Sequence, residues 1–198
     1  MAFFRTGAFV ETLLALEGEE VTLRQPQMSD HPEWAALREK SRAFLVPWEP
    51  IWPADDLTRG AFRRRLKRYA EDQRSDQAYS FFVFRNTDGA LVGGITLSNV
   101  RRGVAQAGSI GYWIGEPYAR QGLMTKALRI LILFSFTSLR LHRLEAACIT
   151  TNLASIRLLE KSGFQREGYA RQYLCINGMW QDHLLYARLK DDPPHLVR

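Results

Sequence analysis

The sequence is short of the features that would take it outside the ordinary globular class. It has two cysteines, Cys148 and Cys175. Two thiols cannot build a disulfide scaffold and suit a reducing compartment. Cys148 lies in an apolar, strand-like run and reads as a small core residue rather than a reactive thiol. The four histidines, His31, His142, His183 and His195, have no metal-type spacing, so no metal is expected. Long hydrophobic runs are absent too. The longest apolar run within a helical segment is Ile130 to Phe134, far below the ~20 residues a membrane span needs. Near the N-terminus, Phe3-Phe4 is interrupted by Arg5 and Gly7, and Glu11 follows. A secretory signal wants ~7–15 continuous apolar residues, so a cytoplasmic protein is expected. There is no repeat and no low-complexity tract.

What remains is a chain of 198 residues with 46% hydrophobic and 24% charged side chains. This length is about one domain at ~150 residues per domain and buries a core without staples. The expected organisation is one domain over 1–198, with an N-terminal extension at 1–18 and a core at 19–190. The formal charge of +6 favours an acidic partner, such as a phosphorylated cofactor or RNA.

Periodicity gives the elements. Val21 to Arg24 reads as a strand. Ser29 or Asp30 caps a helix carrying Trp34, Leu37 and Phe44, which ends before Pro47. Pro47 to Pro53 is a stiff aromatic loop. A second helix spans Thr58 to Arg74, with Phe62, Leu66 and Tyr69 on one stripe. Three strands then form an antiparallel meander: Tyr79 to Phe84, Leu91 to Leu97 and Ala107 to Ile114. Gly122 to Leu139 is a helix apolar on most sides, hence deeply buried. A strand at Leu144–Ile149 precedes a helix at Asn152–Ser162 that Gly163 stops. Phe164–Ile176 and Trp180–Leu189 pair around the Asn177-Gly178 turn. The order predicts an α/β (α+β) fold, a mixed central β-sheet flanked by about four helices.

Three segments carry chemistry. At Tyr112-Trp113-Ile114-Gly115-Glu116-Pro117-Tyr118-Ala119-Arg120-Gln121-Gly122-Leu123-Met124 a strand ends and a buried helix begins at a glycine. Backbone amides at such a helix start are unpaired and bind anions, phosphates above all. An ordinary turn glycine would look the same, and the lysine of a P-loop and the spaced glycines of a dinucleotide site are missing. In the second segment, Asn152 and Ser155 share a helix face, although Asn152 could serve only as a cap. The third is the Trp48-Glu49 loop, which could equally be a proline-rich connector with packed tryptophans.

Taken together, these segments resemble the GNAT (Gcn5-related N-acetyltransferase) superfamily over roughly residues 19 to 190. The family's loop pattern Q/R-x-x-G-x-G/A falls on Ala119-Arg120-Gln121-Gly122-Leu123-Met124, with Ala119 and Met124 departing from it in identity. Its pattern N-x-x-A-x-x-x-Y-x-x-x-G-F falls on Asn152, Ser155, Leu159, Gly163 and Phe164, where Leu159 replaces a tyrosine that often serves as general acid. Within the superfamily, the RimJ/RimL branch of ribosomal-protein alanine N-acetyltransferases is the most similar. The segments that carry that likeness are 44–50, 97–103, 121–124, 163–170 and 176–183.

The resemblance implies an acetyl-CoA-dependent acyltransferase in which an amine attacks the thioester directly in a ternary complex. It implies that Trp113, Ile114, Arg120, Gln121, Gly122, Leu123, Met124, Thr125, Asn152 and Ser155 hold the cofactor. Ser155 would protonate the departing thiolate or hold a water that does. Glu49 would contact the amine or take its proton through water, with Trp48, Tyr112 and Asp182 also at the acceptor. Asp182 has a plainer reading, as a solvated hairpin residue or a partner of His183. The acceptor implied is the N-terminal alanine of a ribosomal protein. A small amine such as an antibiotic, or a non-catalytic ribosome- or RNA-associated module, are the alternatives. Arg63-Arg64-Arg65-Leu66-Lys67-Arg68 would then either dock ribosomal RNA or form a solvated helix face.

Overall fold

In the computed structural model, residues 14–193 are described. The first thirteen residues of the extension, and His195, lie outside them. Eight strands form one sheet in the order β1-β2-β3-β4-β5-β6-β8-β7. They are β1 (Ala15–Glu17), β2 (Val21–Arg24), β3 (Tyr79–Arg85), β4 (Leu91–Arg101), β5 (Ala107–Ile114), β6 (Arg143–Ile149), β7 (Gln165–Ile176) and β8 (Met179–Leu189). The helices are α1 (His31–Lys40), α2 (Arg42–Leu45), α3 (Arg59–Arg74), α4 (Leu123–Thr137) and α5 (Leu153–Lys161). The sheet is mixed, as expected: every neighbouring pair is antiparallel except β5 with β6. No helix among the described residues is long and apolar enough to cross a membrane.

Two differences from the sequence reading have physical causes. Residues 15–17, read as extension, form β1, because Ala15, Leu16 and Glu17 pair with β2 and Leu14 N–H donates to the Gln25 side chain. The first helix is not continuous to Phe44 but breaks at Ser41. Ser41 is fully buried, and its Oγ accepts from Glu116 N at 2.9 Å, which ties the break to the loop after β5.

The two faces of the sheet differ. On one, α4 buries Leu123, Met124, Ala127, Leu128, Leu131, Ile132, Phe134 and Phe136 against Val21, Leu23, Phe81, Val83, Ile95 and Leu97. Fully burying a side chain of this kind stabilises by ~1.5–3 kcal/mol, so this face anchors the fold. The other face has a smaller aromatic cluster under α1 and α3, with Trp34 tilted against Phe62 at a centroid spacing of 4.8 Å and Phe62 stacked on Phe82 at 6.1 Å. Thr58 caps α3 by accepting from Ala61 N at 3.2 Å.

The feature that places the site is the single parallel pairing. β5 and β6 pair only at Ala107 with Arg143, Gly108 with Leu144 and Ser109 with Glu145. Beyond that point both strands continue but separate. β5 stays paired to β4 through Ile114, and β6 to β8 through Ile149. The result is a wedge whose two inner edges carry backbone N–H and C=O groups that lack a strand partner.

Candidate active site

The α4 face of the wedge begins with the loop that opens α4. Arg120 and Gly122 both have positive φ, 61° and 77°. The first ladder bond of α4 is Lys126 N–H to Gly122 O, at 3.2 Å. The amides before it, through Thr125, have no acceptor within the helix. Gly122 is exposed, and a Cβ there would meet nothing within 4 Å. Open space, free amides and the positive end of a fifteen-residue helix fit a diphosphate. Gln121 holds the approach by donating from Nε2 to Pro117 O at 2.9 Å.

In the opened part of the wedge, three residues beyond the last β5–β6 pair, Tyr112 on β5 and Ser155 on α5 meet, with their hydroxyl oxygens 2.7 Å apart. Asn152 caps α5, its Oδ1 accepting from Ser155 N at 3.1 Å. That bond fixes Ser155 and leaves the Asn152 Nδ2 group as a donor. Cys148 of β6 is buried beside the same hydroxyl. Burial pushes the Tyr112 phenol well above its ordinary value, and Ser155 only partly offsets this. Burial likewise raises the Cys148 thiol. All three groups therefore keep their protons at neutral pH. Leu159, in the place of the family tyrosine, is 1% exposed in the main core and has no proton to give.

Behind the wedge, on the α1 and α3 face, lies a cavity of about 390 Å³. Its floor is Ser80, Phe82, Gly94, Thr96, Gly111 and Trp113; its walls include Trp34, Arg38, Glu49, Trp52, Arg65 and Tyr69. A Cβ on Gly94 would lie 2.5 Å from Trp113 Nε1, so only glycine lets this indole lie flat on β4. Arg38 is the organising side chain. Its Nη1 and Nη2 each donate to one oxygen of Glu49 at 2.7 Å. Its guanidinium stacks 4.0 Å from the Trp52 ring and 5.0 Å from that of Trp113. Trp52 Nε1 also donates to Glu49, at 2.7 Å. The loop that carries Glu49 is clasped by the β7–β8 turn: Asn177 N–H donates to Glu49 O at 2.8 Å, and Gly178 packs on Ile51.

The sequence-derived site residues fall into three groups. Trp113, Ile114, Arg120, Gln121, Gly122, Leu123, Met124, Thr125, Asn152, Ser155 and Tyr112 all border the wedge or its mouth. Glu49 borders the cavity, but Arg38 and Trp52 engage both its oxygens, which makes it a structural anion rather than a free base. Trp48 and Asp182 are not among the residues that line the cavity. Trp48 is 37% exposed, and Trp52 takes the place in the wall. Asp182 fastens a bulge in β7: it accepts from Tyr169 OH and, at 2.8 Å, from Gln172 N, whose residue has φ 47°. Those bonds hold its carboxyl below the ordinary value. His183 bonds to Gln181 O instead of to Asp182.

Sequence reasoning missed Arg38 and Trp52. Arg38 stands four residues after Trp34 on the apolar face of α1, and a cation on a core-facing stripe is the signal that marks it.

Comparison with known proteins agrees with this geometry. The model of the acetyltransferase (GNAT) domain matches residues 20–165. The chain is 36% identical to "Probable N-acetyltransferase YjcK" of Bacillus subtilis (strain 168), over 89% of this chain and 98% of that one. It is 35% identical to the [ribosomal protein uS5]-alanine N-acetyltransferase of Escherichia coli (strain K12), covering 77% of this chain and 79% of the relative. The structure of Mycobacterium smegmatis RimJ in complex with CoA-disulfide superposes with a TM-score of 0.82 at 31% identity, covering 89% of this chain and 85% of that one. The chain belongs to the GNAT family of acetyltransferases, enzymes that take their acetyl group from acetyl-CoA.

Proposed function

We propose that this enzyme acetylates the α-amino group of an N-terminal alanine on a ribosomal protein. One observation carries the reading: the strand separation at Ser109 brings the phosphate-type loop, the Tyr112–Ser155 pair and an aromatic cavity to a single opening. The likeness to the uS5-alanine enzyme supports the acceptor class.

Amides of residues 121–125 would hold the diphosphate of acetyl-CoA, with Arg120 beside them. Asn152 Nδ2 and the free edge of Trp113 and Ile114 would hold the pantetheine arm. The bound group supplies an acetyl carbon activated as a thioester. Amides on the free edge of β5 would polarise its carbonyl, and donors of this kind are worth ~3–4 kcal/mol. On the far side, the rings of Trp52 and Trp113 confine the amine. An α-amine has a pKa of ~8, so a good fraction is neutral without a strong base, and water carries its proton away. Ser155 Oγ holds a proton for the departing sulfur, with Tyr112 OH behind it as a second donor. A thiol has a pKa of ~8.5, so this assistance is modest. Glu49 acts by positioning: it fixes Arg38, and Arg38 fixes the two indoles.

This reading places the enzyme in the cytoplasm with its acceptor. Of the basic run on α3, Arg64 and Arg65 bind Asp55 and Asp56. Arg63 and Arg68 remain without an ion-pair partner among the described residues and are our candidates for a ribosomal RNA contact.

The test is thiol release from acetyl-CoA with an Ala-led peptide, with a panel of small amines and with neither, alongside the mass of the peptide. We expect turnover and one added acetyl group on the peptide. Turnover with the small amines alone would refute the proposed acceptor.

A further inference from the structure

The acceptor cavity continues along the sheet. Strand register lays three rows of side chains in line on the face away from α4. Phe82, Gly94 and Trp113 make the first row, and Ser80, Thr96 and Gly111 the second. Ser98, Ser109 and Glu145 make the third. The first two rows floor the acceptor cavity. The third floors a wider cavity of about 610 Å³, which Asp72, Asn99 and Tyr173 also line. One face of α3 flanks both, with no residue lining the two at once: Arg65 and Tyr69, at i and i+4, line the first and Asp72, at i+7, lines the second. Together they form a trough. A strand advances ~3.3 Å per residue, so the distance from the Trp113 row to the Ser109 row is about 13 Å, or about four extended residues. A floor of glycine, serine and threonine leaves that space clear over the sheet.

The charge in the trough is uneven. Glu145 is paired with Arg101 and Arg143. The carboxylate of Asp72 has neither a hydrogen bond nor an ion pair among the described residues. One uncompensated negative charge thus faces the trough, on a chain whose net charge is +6.

We propose that the trough holds the residues that follow the acceptor's first, and that Asp72 selects a lysine or arginine side chain among them. This rests on the N-terminal reading above and adds to it the length and charge of the acceptor. A small amine would fill only the first cavity; a polypeptide leaving that cavity has the third row as its path. The preference runs against the positive field of the whole protein, so a measured preference for cationic peptides is a property of the trough and not of bulk attraction. The half-exposed ring of Tyr173 offers a face for the aliphatic stem of such a side chain.

The test uses the full chain and three acceptors: Ala-Gly-Gly-Lys-Gly-amide, Ala-Gly-Gly-Glu-Gly-amide and alanyl-glycinamide. The lysine peptide should exceed the glutamate peptide about tenfold in kcat/KM and should also exceed the short acceptor. In Asp72→Asn the ratio of the two long peptides should fall towards one. In Ser98→Tyr, which fills the trough, the advantage of length should disappear. Thermal melts check that both variants fold, and the wild-type ratios are decisive without them. Equal rates for all three acceptors, or a lysine preference that survives Asp72→Asn, would overturn the trough and leave the N-terminal reading standing. Acetylation of none of the three would remove that reading, and the trough with it.

Discussion

Tyr112 and Ser155 form a hydroxyl pair in the wedge, and their 2.7 Å contact makes them a unit. Residues that act as a unit are not additive. Ser155→Ala and Tyr112→Phe should each lower kcat about tenfold, less than the ~10²–10⁴-fold usual for a general acid because a thiolate leaves with little help, with little change in the acceptor KM. The double variant should be no worse than the poorer single, as read by thiol release. Unchanged kcat in both singles would remove the pair from the reaction. The pH profile follows from the same residues. Tyr112 and Cys148 are raised above their ordinary values of 10.0 and 9.0. Neither loses its proton in the working range, so neither gives a falling limb. The rate should rise through the acceptor's own pKa of ~8 and level off, with no falling limb centred at or below the ordinary thiol value of 9.0. A fall centred at or below pH 9 would mean that an acid without a raised pKa takes part.

At the level of elements, the start of α4 is the most exposed to a single change. Gly122 has φ 77° with open space around it. An alanine there meets no atom but adopts a left-handed backbone that costs ~1–2 kcal/mol. Gly122→Ala should weaken CoA binding about tenfold by calorimetry and lower Tm by only ~2–8 °C, at ~2–4 °C per kcal/mol for a chain of this size. The sequence made this loop legible because a strand, a glycine and an apolar helix follow one another without interruption. It made α3, α4 and the β7–β8 hairpin legible for the same reason: local periodicity and turn chemistry decide them. The break at Ser41 depends on Glu116, far along the chain, so no local signal carries it. The separation of β5 from β6 is likewise a matter of pairing between distant strands. Glu49 shows the limit most clearly. The loop was identifiable, but the partner that turns its carboxylate from a base into an anchor sits on α1.

The whole molecule holds its two sheet halves together through three parallel residue pairs, the packing of α4 and α5, and the clasp between the Glu49 loop and the β7–β8 turn. Arg38 is central to that clasp. Removing one member of a buried ion pair costs ~3–5 kcal/mol, but the Glu49 side chain is 20% exposed, against 7% for Arg38. About 2–3 kcal/mol is therefore expected for Arg38→Met, a fall in Tm of ~5–10 °C. Hydrogen exchange should quicken at residues 46–53 and 176–179 and stay slow in β3 and β4. Adding Glu49→Leu should restore part of the loss, since the stranded anion is then gone. If exchange rises equally in every strand, the clasp is not a separate unit. The wedge itself opens to both sides of the sheet, and this bears on the order of events. In the proposed arrangement donor and acceptor have their own doorways, so neither must wait for the other to arrive or depart. Kinetics should therefore be random-order, with a dead-end acceptor analogue leaving the apparent affinity for acetyl-CoA unaltered. On that reading spent CoA would back out while the finished chain still lies in its channel.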